Sequence, residues 1–497
     1  MSNVYDVIVV GAGNAALCAA IAARQEGAER VLVLERAPEA YRGGNSMFTG
    51  GLMRFPYRGI EDIKAIIPDM SEAEEASIEI GQYTEDDFYT DIMRLSEWQS
   101  DPDLVDYIVR EAFPTVKWMQ QNGVRFNLQF GRQAFKVGER YRFWGGAIAG
   151  TVGGGKGLIE NLWASAERQG VQFLTEATAK ELIMDGERVA GVRVRHKGQW
   201  LELRAPHVIL ACGGFEANAQ MRAQYLGPNW DLAKVRGTPY NTGDGILMAL
   251  KVGAMPYGHW SGAHAVAWDY NAPPWGDPKI GELFQKHSYP LGIVVNRDGQ
   301  RFLDEGYDFR NYTYARYGAE ILKQPGRIAF QIFDQKVIHM LREEYRIPQV
   351  TKAEANTLEE LAQKLEINVE GFVETVRRFN ESIDESVPFN PSIKDGRRTR
   401  GITPPKSNWA QKIDTPPFVG FAVTCGVTFT FGGLKVNTKA QVLNEEGEPI
   451  PGLYAAGELV GGIFYNNYPG GAGLTTGAVM GRTAGRTAGR LVAGKEI

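Results

Sequence analysis

A strand–glycine–helix–strand unit at residues 4–36 constrains the fold more than any other stretch of this chain. Residues 7–10 and 31–34 are apolar runs of the length of buried parallel strands, and residues 15–24 between them are good helix formers. Gly11, Gly13 and Ala16 form a G-x-G-x-x-A turn, in which small residues allow a tight bend and close approach to a pyrophosphate. Glu35 ends the second strand, where an acid binds a ribose hydroxyl. The unit predicts a dinucleotide site formed by Gly11, Gly13, Asn14, Ala15, Glu35 and Arg36.

Composition restricts the classes of function that the remaining sequence can have. The 497 residues are enough for two or three domains, and the net charge of −5 gives no basic field for nucleic acid. Cys18, Cys212 and Cys425 are far apart and show neither a disulfide framework nor a metal-ligand spacing. No apolar run reaches the length of about 18 residues that suggests a membrane span. Since the nucleotide unit begins by residue 4, we expect a cytoplasmic protein with no signal peptide, no metal site and no membrane span.

Further glycine-rich segments predict more backbone contacts to the same ligand. Residues 42–51 form a loop of glycines and small polar side chains, residues 208–214 are an apolar strand that runs into glycines, and residues 452–458 and 469–474 repeat this texture near the end. Asp244 precedes an apolar helix at residues 246–254, and it either caps that helix or touches the ligand. The added residues are Gly43, Gly44, Asn45, Ser46, Gly50, Gly51, Thr178, Ala211, Gly213, Asp244, Gly457, Glu458, Gly473, Leu474 and Thr475.

The amino-acid composition and motifs of the chain change twice along its length, which predicts an interrupted domain. Residues 259–425 are richer in aromatic residues, proline and histidine and contain no further nucleotide fingerprint. We therefore predict an α/β fold, in which a Rossmann-like nucleotide domain at 1–257 and 429–497 is interrupted by an α+β domain at 258–428. Residues 171–174, 188–195 and 200–203 alternate like the strands of a small meander.

Four segments resemble the flavoprotein family of fumarate reductases and succinate dehydrogenases. They are GAGNAA with Glu35, the RGGNS loop, the VILACGGF strand, and GLYAAGELVGG followed by GGAGL, in the family's order and over essentially the whole chain. The resemblance is strongest to the tricarballylate dehydrogenases, through GQRFLDEGYDFRNYTYARY at 299–317 and YNNYPGGAGL at 465–474. It implies FAD at the nucleotide residues above, with the flavin at the seam beneath a capping domain and near Glu458. No histidine lies in RGGNSMFTGG, where some members attach FAD, so we expect non-covalent FAD.

The resemblance also suggests catalytic residues, although the substrate motifs differ from those of fumarate reductases. TFTFGG at 428–433 and NYPGG at 467–471 stand where those enzymes keep a histidine and a substrate arginine, so fumarate itself is disfavoured. Arg310 lies where the family keeps its proton-transfer arginine, but an ion pair with Asp304, Glu305 or Asp308 is the alternative. Tyr468 would orient or deprotonate substrate, or only pack. The other candidates are His264 and His287, with Arg54 and Arg142 as further carboxylate clamps.

These residues imply an FAD-dependent dehydrogenase or reductase that acts on a CH–CH bond next to a carboxylate. The expected substrate is a tricarballylate-like polycarboxylate, which needs several cations because three buried negative charges cannot go unpaired. Electrons would leave to a separate acceptor, which the family suggests is a membrane-associated electron-transfer protein. The Tyr468-Pro469-Gly470 segment also resembles 3-ketosteroid dehydrogenases, so a cyclic ketone is the second candidate. A non-catalytic flavin-binding module is the alternative from another class.

Overall fold

A six-stranded sheet organises the nucleotide-binding part of the computed structural model, which describes residues 3–143 and 146–497. Its central strand, Val7–Val10, pairs in parallel with Val31–Leu34 on one side and His207–Leu210 on the other. All three strands are buried along their full length, because both faces of a parallel sheet are covered. The predicted strand–helix–strand order is confirmed. Across the sheet the strands are Gln441–Leu443, Pro449–Ala455, His207–Leu210, Val7–Val10, Val31–Leu34 and Gln172–Leu174.

Two helices of small residues pack closely on this sheet. The helix Asn14–Glu26 follows the first strand, and the helix Ala472–Val492 near the end of the chain lies against it. Gly481 and Gly485 make this approach possible, because a Cβ at either position would overlap a main-chain carbonyl of the first helix. The first and last segments of the chain therefore form one packing unit beside the sheet.

The meander is present, but one of its predicted strands is wrong. Ala177–Asp185, Arg188–His196 and Gln199–Arg204 form a three-stranded antiparallel sheet. Gln172–Leu174 instead pairs in parallel with Val31–Leu34 at the edge of the central sheet. The alternation of residues 171–174 could not distinguish these positions, because a short strand at a sheet edge is also covered on one face only.

A second large sheet is formed mostly by strands of the inserted segment. Its order is Lys234–Val235, Phe418–Leu434, Ala329–Phe333 and Ile293–Val295, and Pro256–Asp269 and Lys352–Ala355 also pair with the long strand Phe418–Leu434. The predicted seams at 257/258 and 428/429 fall inside the strands Pro256–Asp269 and Phe418–Leu434. The division into domains stays a prediction, and its first part includes residues 1–2 and 144–145, which lie outside the described residues.

The remaining elements surround these sheets. Two small sheets consist of Leu52–Met53, Ala149–Thr151 and Phe126–Leu128, and of Ile78–Glu79, Arg140–Phe143 and Ala134–Val137. The other α-helices are Ile60–Ile66, Glu72–Ser77, Glu85–Leu95, Pro102–Gln121, Phe130–Gln133, Gly154–Arg168, Ala219–Met221, Asp244–Lys251, Tyr314–Leu322, Leu358–Leu365 and Val369–Ser382. Within the described part of the chain, no helix has both the length and the hydropathy needed to cross a bilayer.

Candidate active site

A cavity lies between the carboxyl ends of the central strands and the second large sheet. Gly11 and Gly13 line it where the chain leaves Val7–Val10, and Glu35 lines it where the chain leaves Val31–Leu34. Arg236 and Phe429, next to or within strands of the second large sheet, line the opposite side. The carboxyl edge of a parallel sheet is where such folds bind ligands.

The glycine turn brings three separate segments together at the nucleotide end of the cavity. Gly11 has φ +107°, and a Cβ there would overlap the main-chain carbonyl of Ala211, so only glycine fits. The main-chain nitrogen of Asn14 donates to the Ser46 hydroxyl at 3.1 Å, and the Asn14 side chain donates to the carbonyl of Leu474 at 2.8 Å. The first turn, the RGGNS loop and the last helix are thereby tied to one another.

Acidic and basic side chains flank the same end. Glu35 is buried and accepts a hydrogen bond from the main-chain nitrogen of Ala37 at 2.8 Å, and burial raises the pKa of its carboxyl. Asp244 is the first residue of its helix but makes no capping bond, and it pairs with Arg36 at 3.0 Å and Lys180 at 2.6 Å. Burial opposes its ionisation, but the hydrogen bonds from Lys180 and Thr242 prevail and lower its pKa. Of the two expectations for Asp244, the position at the cavity agrees with the ligand contact.

Most of the residues expected at the cofactor line the cavity. Gly43, Gly51 and Thr475 do not: Gly43 lies against Ile159, and the Thr475 hydroxyl contacts the carbonyl of Gly471 at 3.3 Å. Those that line it are Gly11, Gly13, Asn14, Ala15, Glu35, Arg36, Gly44, Asn45, Ser46, Gly50, Thr178, Ala211, Gly213, Asp244, Gly457, Glu458, Gly473 and Leu474.

Unpaired polar atoms at the lining indicate that the cavity is built for a polar ligand. The hydroxyls of Thr428 and Thr476 are buried at the cavity without a hydrogen-bond partner among residues 3–143 and 146–497. Buried polar groups nearly always have a hydrogen-bond partner, so we expect the ligand to supply a partner for each of these two hydroxyls. In the same residues, no group of His, Cys, Asp and Glu side chains could hold a metal ion.

Four arginines, Arg132, Arg236, Arg310 and Arg342, converge at the other end of the cavity, and we call them the arginine cluster. They come from four separate segments, so no local sequence motif predicts that they meet. Arg132 lies in the short helix Phe130–Gln133, and Arg236 directly follows Lys234–Val235. Arg310 and Arg342 both donate to the main-chain carbonyl of Arg132 at 3.1 Å. Sequence reasoning identified Arg310 alone.

The arginine cluster carries more positive charge than its partners neutralise. Glu282 pairs with Arg132 and, at 2.9 Å, with Arg236, while Glu344 pairs with Arg342 at 3.0 Å. In the described chain, four guanidinium groups thus face two carboxylates. Burial, with Arg342 nearby, lowers the pKa of Arg310 to about 9 and that of Arg132 to about 10. An anionic ligand would relieve this excess charge.

Arg310 is free of the ion pairs that were its alternative role. Among the described residues it forms no salt bridge, and its guanidinium lies 5.7 Å from the centre of the Tyr314 ring. The three acids proposed as its partners bond elsewhere: Asp304 to Ser407, Glu305 to Arg301, and Asp308 to Arg94 and Lys394. The ion-pair expectation is therefore wrong, and the side chain is available to the cavity.

One side of the cavity is an aromatic wall formed by Tyr314, Phe429, Phe464 and Tyr468, and the two tyrosine hydroxyls are its polar groups. The hydroxyls of Tyr314 and Tyr468 lie 2.5 Å apart, and both residues line the cavity. Phe429 and Phe464 each pack edge to face on Tyr468, with ring centres 5.3 Å apart. Burial, followed by the neighbouring Tyr468, raises the pKa of Tyr314 well above its usual value. Tyr314 was missed because it reads as one more aromatic residue in an amphipathic helix.

Both candidate histidines lie behind this wall rather than at the cavity. His264 is fully buried and stacks on Phe429, with ring centres 5.0 Å apart. His287 bonds through Nε2 to the side-chain oxygen of Gln285 at 2.9 Å, and Gln285 lines the cavity. Burial lowers the pKa of both imidazoles well below the usual value, so both are neutral. Each histidine therefore contacts a residue of the lining without being part of it.

The two further clamp candidates lie away from the cavity. Arg54 is fully buried and donates to the carbonyl of Gly470 at 2.8 Å and to the Tyr83 hydroxyl at 3.0 Å. Arg142 is exposed and pairs with Glu79 at 3.1 Å. Neither lines the cavity, so the expectation that they clamp a carboxylate there is not met.

Residues 6–474 match the protein family described as FAD binding domain. This chain belongs to that family. The cavity of this FAD-binding protein fits the cofactor. Its lining includes a glycine turn at a helix N-terminus, an acid at the ribose position and two hydroxyls that have no partner among the described residues. FAD is thus the cofactor of the fold, as the sequence predicts.

Curated relatives of this FAD-binding protein are oxidoreductases. A probable fumarate reductase, Ifc3, of Shewanella frigidimarina is 30% identical over 97% of this chain and 74% of its own length. The NADH:fumarate oxidoreductase of Klebsiella pneumoniae is 28% identical over 94% of this chain, which spans only 46% of that relative. A 3-oxosteroid 1-dehydrogenase of Mycobacterium tuberculosis is 28% identical over 96% of both chains. The chain therefore belongs with the fumarate reductase flavoproteins.

Solved structures show the same architecture. The open conformation of a flavocytochrome c3 fumarate reductase superposes with a TM-score of 0.72 at 26% identity, over 99% of this chain and 79% of the other. The predicted α/β fold of a Rossmann-like FAD-binding part interrupted by a cap is confirmed at this level.

Proposed function

We propose that this protein is an FAD-dependent dehydrogenase or reductase of a CH–CH bond next to a carboxylate, with a tricarballylate-like polycarboxylate as substrate. The observation that carries the proposal is the arginine cluster, in which four guanidinium groups meet two carboxylates at one end of the FAD cavity. Guanidinium groups bind carboxylates through paired hydrogen bonds, and the excess positive charge matches a substrate with several carboxylates.

The residues that would hold the cofactor divide along the cavity. Gly11, Gly13 and the N-terminus of Asn14–Glu26 suit the pyrophosphate, and Glu35 suits a ribose hydroxyl. Glu458 and the N-terminus of Ala472–Val492 suit the flavin end, where the helix dipole favours negative charge. When bound, FAD supplies the hydride acceptor or donor for the CH–CH bond.

The arginine cluster would bind the substrate carboxylates, stabilise developing negative charge and transfer the proton. Arg132 and Arg236 hold substrate carboxylates, and guanidinium groups stabilise the negative charge that develops on a carboxylate when the α-proton leaves. Arg310 is the proposed proton-transfer group, because it lines the cavity without a carboxylate partner among the described residues and burial lowers the pKa of its guanidinium. Tyr468 would orient the substrate, since it lines the cavity and its hydroxyl is held by that of Tyr314. The aromatic wall excludes water from the reacting carbon atoms.

The route of the electrons is part of the proposal. We infer a separate acceptor for an oxidation, or a separate donor for a reduction. A membrane-associated electron-transfer protein is the proposed partner. Two relatives named as NADH-dependent oxidoreductases are about twice the length of the matched region, which supports delivery of electrons from outside this fold.

A cyclic ketone, such as a 3-ketosteroid, is the second candidate substrate. The specific observation in its favour is the pair of hydroxyls of Tyr314 and Tyr468, 2.5 Å apart in an aromatic wall. One hydroxyl could polarise a ketone while the apolar rings hold a carbon skeleton. The relative named 3-oxosteroid 1-dehydrogenase supports the same reading.

Dye-coupled oxidation tests the proposal with two matched sets of substrates. The purified FAD-loaded protein is assayed with tricarballylate and other polycarboxylates, and separately with 4-androstene-3,17-dione and cyclohexanone. We expect turnover with a polycarboxylate, and loss of that turnover in Arg310→Gln. The control is Arg377→Gln, which removes an equal charge from an exposed ion pair with Glu374 and Glu381. Turnover of ketones without turnover of any polycarboxylate would instead support the second candidate.

A further inference from the structure

Two buried amide side chains, those of Gln133 and Asn311, lie directly beside the arginine cluster. Gln133 follows Arg132 at the end of the short helix Phe130–Gln133, and Asn311 follows Arg310. Both amides are fully buried, and the Asn311 Nδ2 donates to the Gln133 Oε1 at 2.6 Å. The Arg310 guanidinium also donates to the main-chain carbonyl of Arg132 at 3.1 Å. The two segments are therefore joined at two consecutive residues.

The amide nitrogen of Gln133 is a donor without an acceptor. Gln133 lines the cavity, and its Nε2 has no hydrogen-bond partner among residues 3–143 and 146–497. Because Asn311 donates to Oε1, the amide offers an N–H donor to a further partner. The Oδ1 of Asn311 also lacks a partner within the described chain, but Asn311 is not part of the cavity lining. Since a buried donor without a partner is costly, we expect a ligand in the cavity to accept from Gln133.

Asn311 is itself held in place from the opposite side. Its main-chain carbonyl accepts a hydrogen bond from the main-chain nitrogen of Gly470 at 2.9 Å. The side chain of Asn467 donates to the carbonyl of Tyr312, one residue farther along, at 2.7 Å. The loop before the last helix thus fixes the segment that orients the Gln133 amide. A donor that is oriented before the ligand arrives loses little conformational freedom on binding.

We propose that Gln133 is a substrate-binding residue, which donates from Nε2 to a carboxylate oxygen of the substrate beside the arginine cluster. This inference rests on the proposed function, because it assigns the acceptor to the polycarboxylate. The neighbouring Arg132 and Arg310 supply positive charge, whereas the neutral amide supplies a donor of fixed direction. A substrate without an acceptor at this point would leave the N–H buried and unpaired, so Gln133 contributes to specificity.

The variant Gln133→Glu separates a substrate contact from a role in packing. Glutamate has nearly the same shape and keeps an acceptor for Asn311, but a carboxylate oxygen replaces the free N–H. Calorimetric titration of the FAD-loaded protein with tricarballylate should show Kd raised at least about tenfold, with FAD content and unfolding temperature not reduced. Gln199→Glu, the same change at an exposed position of the strand Gln199–Arg204, is the control and should keep the wild-type Kd.

A second variant keeps the proposal testable if Gln133→Glu does not fold. Gln133→Met removes the donor without adding charge and should raise the Kd of tricarballylate about ten- to hundredfold. An unchanged Kd in the folded variants would overturn the role of Gln133 and leave the polycarboxylate function standing. Loss of FAD with an unchanged Kd in the remaining holoprotein would assign the donor to the cofactor and also overturn it. A wild type that binds neither tricarballylate nor any other polycarboxylate would overturn both proposals.

Discussion

Arg310 and Arg342 share one acceptor, since both guanidinium groups donate to the main-chain carbonyl of Arg132 at 3.1 Å. These two hydrogen bonds hold the side chains of Arg310 and Arg342 against the backbone of a third, distant segment at the FAD cavity. Of these two arginines, Arg342 pairs with Glu344, whereas Arg310 has no carboxylate partner among the described residues, so its buried guanidinium keeps its positive charge unneutralised. This arrangement is what lowers its pKa to about 9 and makes it the proton-transfer candidate.

The pH dependence of turnover should report the proton carried by Arg310. In the oxidation, Arg310 must be neutral to accept the α-proton, so kcat/KM should rise with pH toward its pKa of about 9. In the reverse reduction it must be charged, so the rate should fall above that pH. Arg310→Gln should lower kcat by about 10²- to 10⁴-fold. Initial rates between pH 6 and 10 check this, and a wild-type profile without that ionisation would contradict it.

Arg236 and Glu282 should have opposite effects on substrate binding. Arg236→Gln removes a guanidinium from the arginine cluster and should raise KM for a polycarboxylate about ten- to hundredfold, the effect of a hydrogen bond to a charged group worth about 1.5–3 kcal/mol. Glu282→Gln is the matched control, because it adds net positive charge and should leave KM equal or lower. Steady-state kinetics measure both. An equal rise in KM in both variants would mean that their ion pair only supports the fold.

Tyr468→Phe removes the hydroxyl that contacts Tyr314 and leaves the ring at the cavity in place. If this hydroxyl orients the substrate, kcat/KM should fall about two- to tenfold, because one hydrogen bond contributes about 0.5–1.5 kcal/mol. The comparison variant is Tyr465→Phe, at a partly exposed ring that stacks on His259 outside the lining. Kinetics and thermal unfolding are measured together. A loss of stability without a loss of kcat/KM would assign Tyr468 to packing.

Gly485→Ala should separate the last helix from the first. A methyl group there would overlap the main-chain carbonyl of Ala19, and the overlap should cost about 1–3 kcal/mol, more than the roughly 1 kcal/mol that alanine gains over glycine within a helix. Gly59→Ala is the control, because nothing lies within 4 Å of its added Cβ and its backbone is extended. Urea unfolding followed by circular dichroism measures the difference. Equal stability of the two variants would contradict the close-packing account.

The sequence predicts the nucleotide end of the site well because its signals are local. The apolar runs around Gly11 and Gly13 have the length and order of buried strands and a helix, and the structure places them there. The position of Asp244 was left open because a cap and a ligand contact need the same residue type at the same place. The position of Asp244 at the cavity, without a capping bond, favours the ligand contact.

The substrate end could not be predicted in the same way, because its residues meet only in three dimensions. Arg132 lies in a four-residue helix, and Arg342 stands before Glu343 and Glu344, which read together as a solvated charged surface. Arg54 was a candidate for binding a substrate carboxylate, but its guanidinium donates to the main-chain carbonyl of Gly470. Position in the fold separates these arginines, since Arg54 and the arginine cluster are all largely buried, and a single sequence does not encode which distant segments meet.

The most direct measurement of the central claim is anaerobic bleaching of the flavin absorbance by tricarballylate, without any added acceptor. We predict that tricarballylate reduces the flavin of the wild-type protein and of Arg377→Gln, but not that of Arg310→Gln. Bleaching by a cyclic ketone or 3-ketosteroid, with no response to tricarballylate or any other polycarboxylate, would contradict the account.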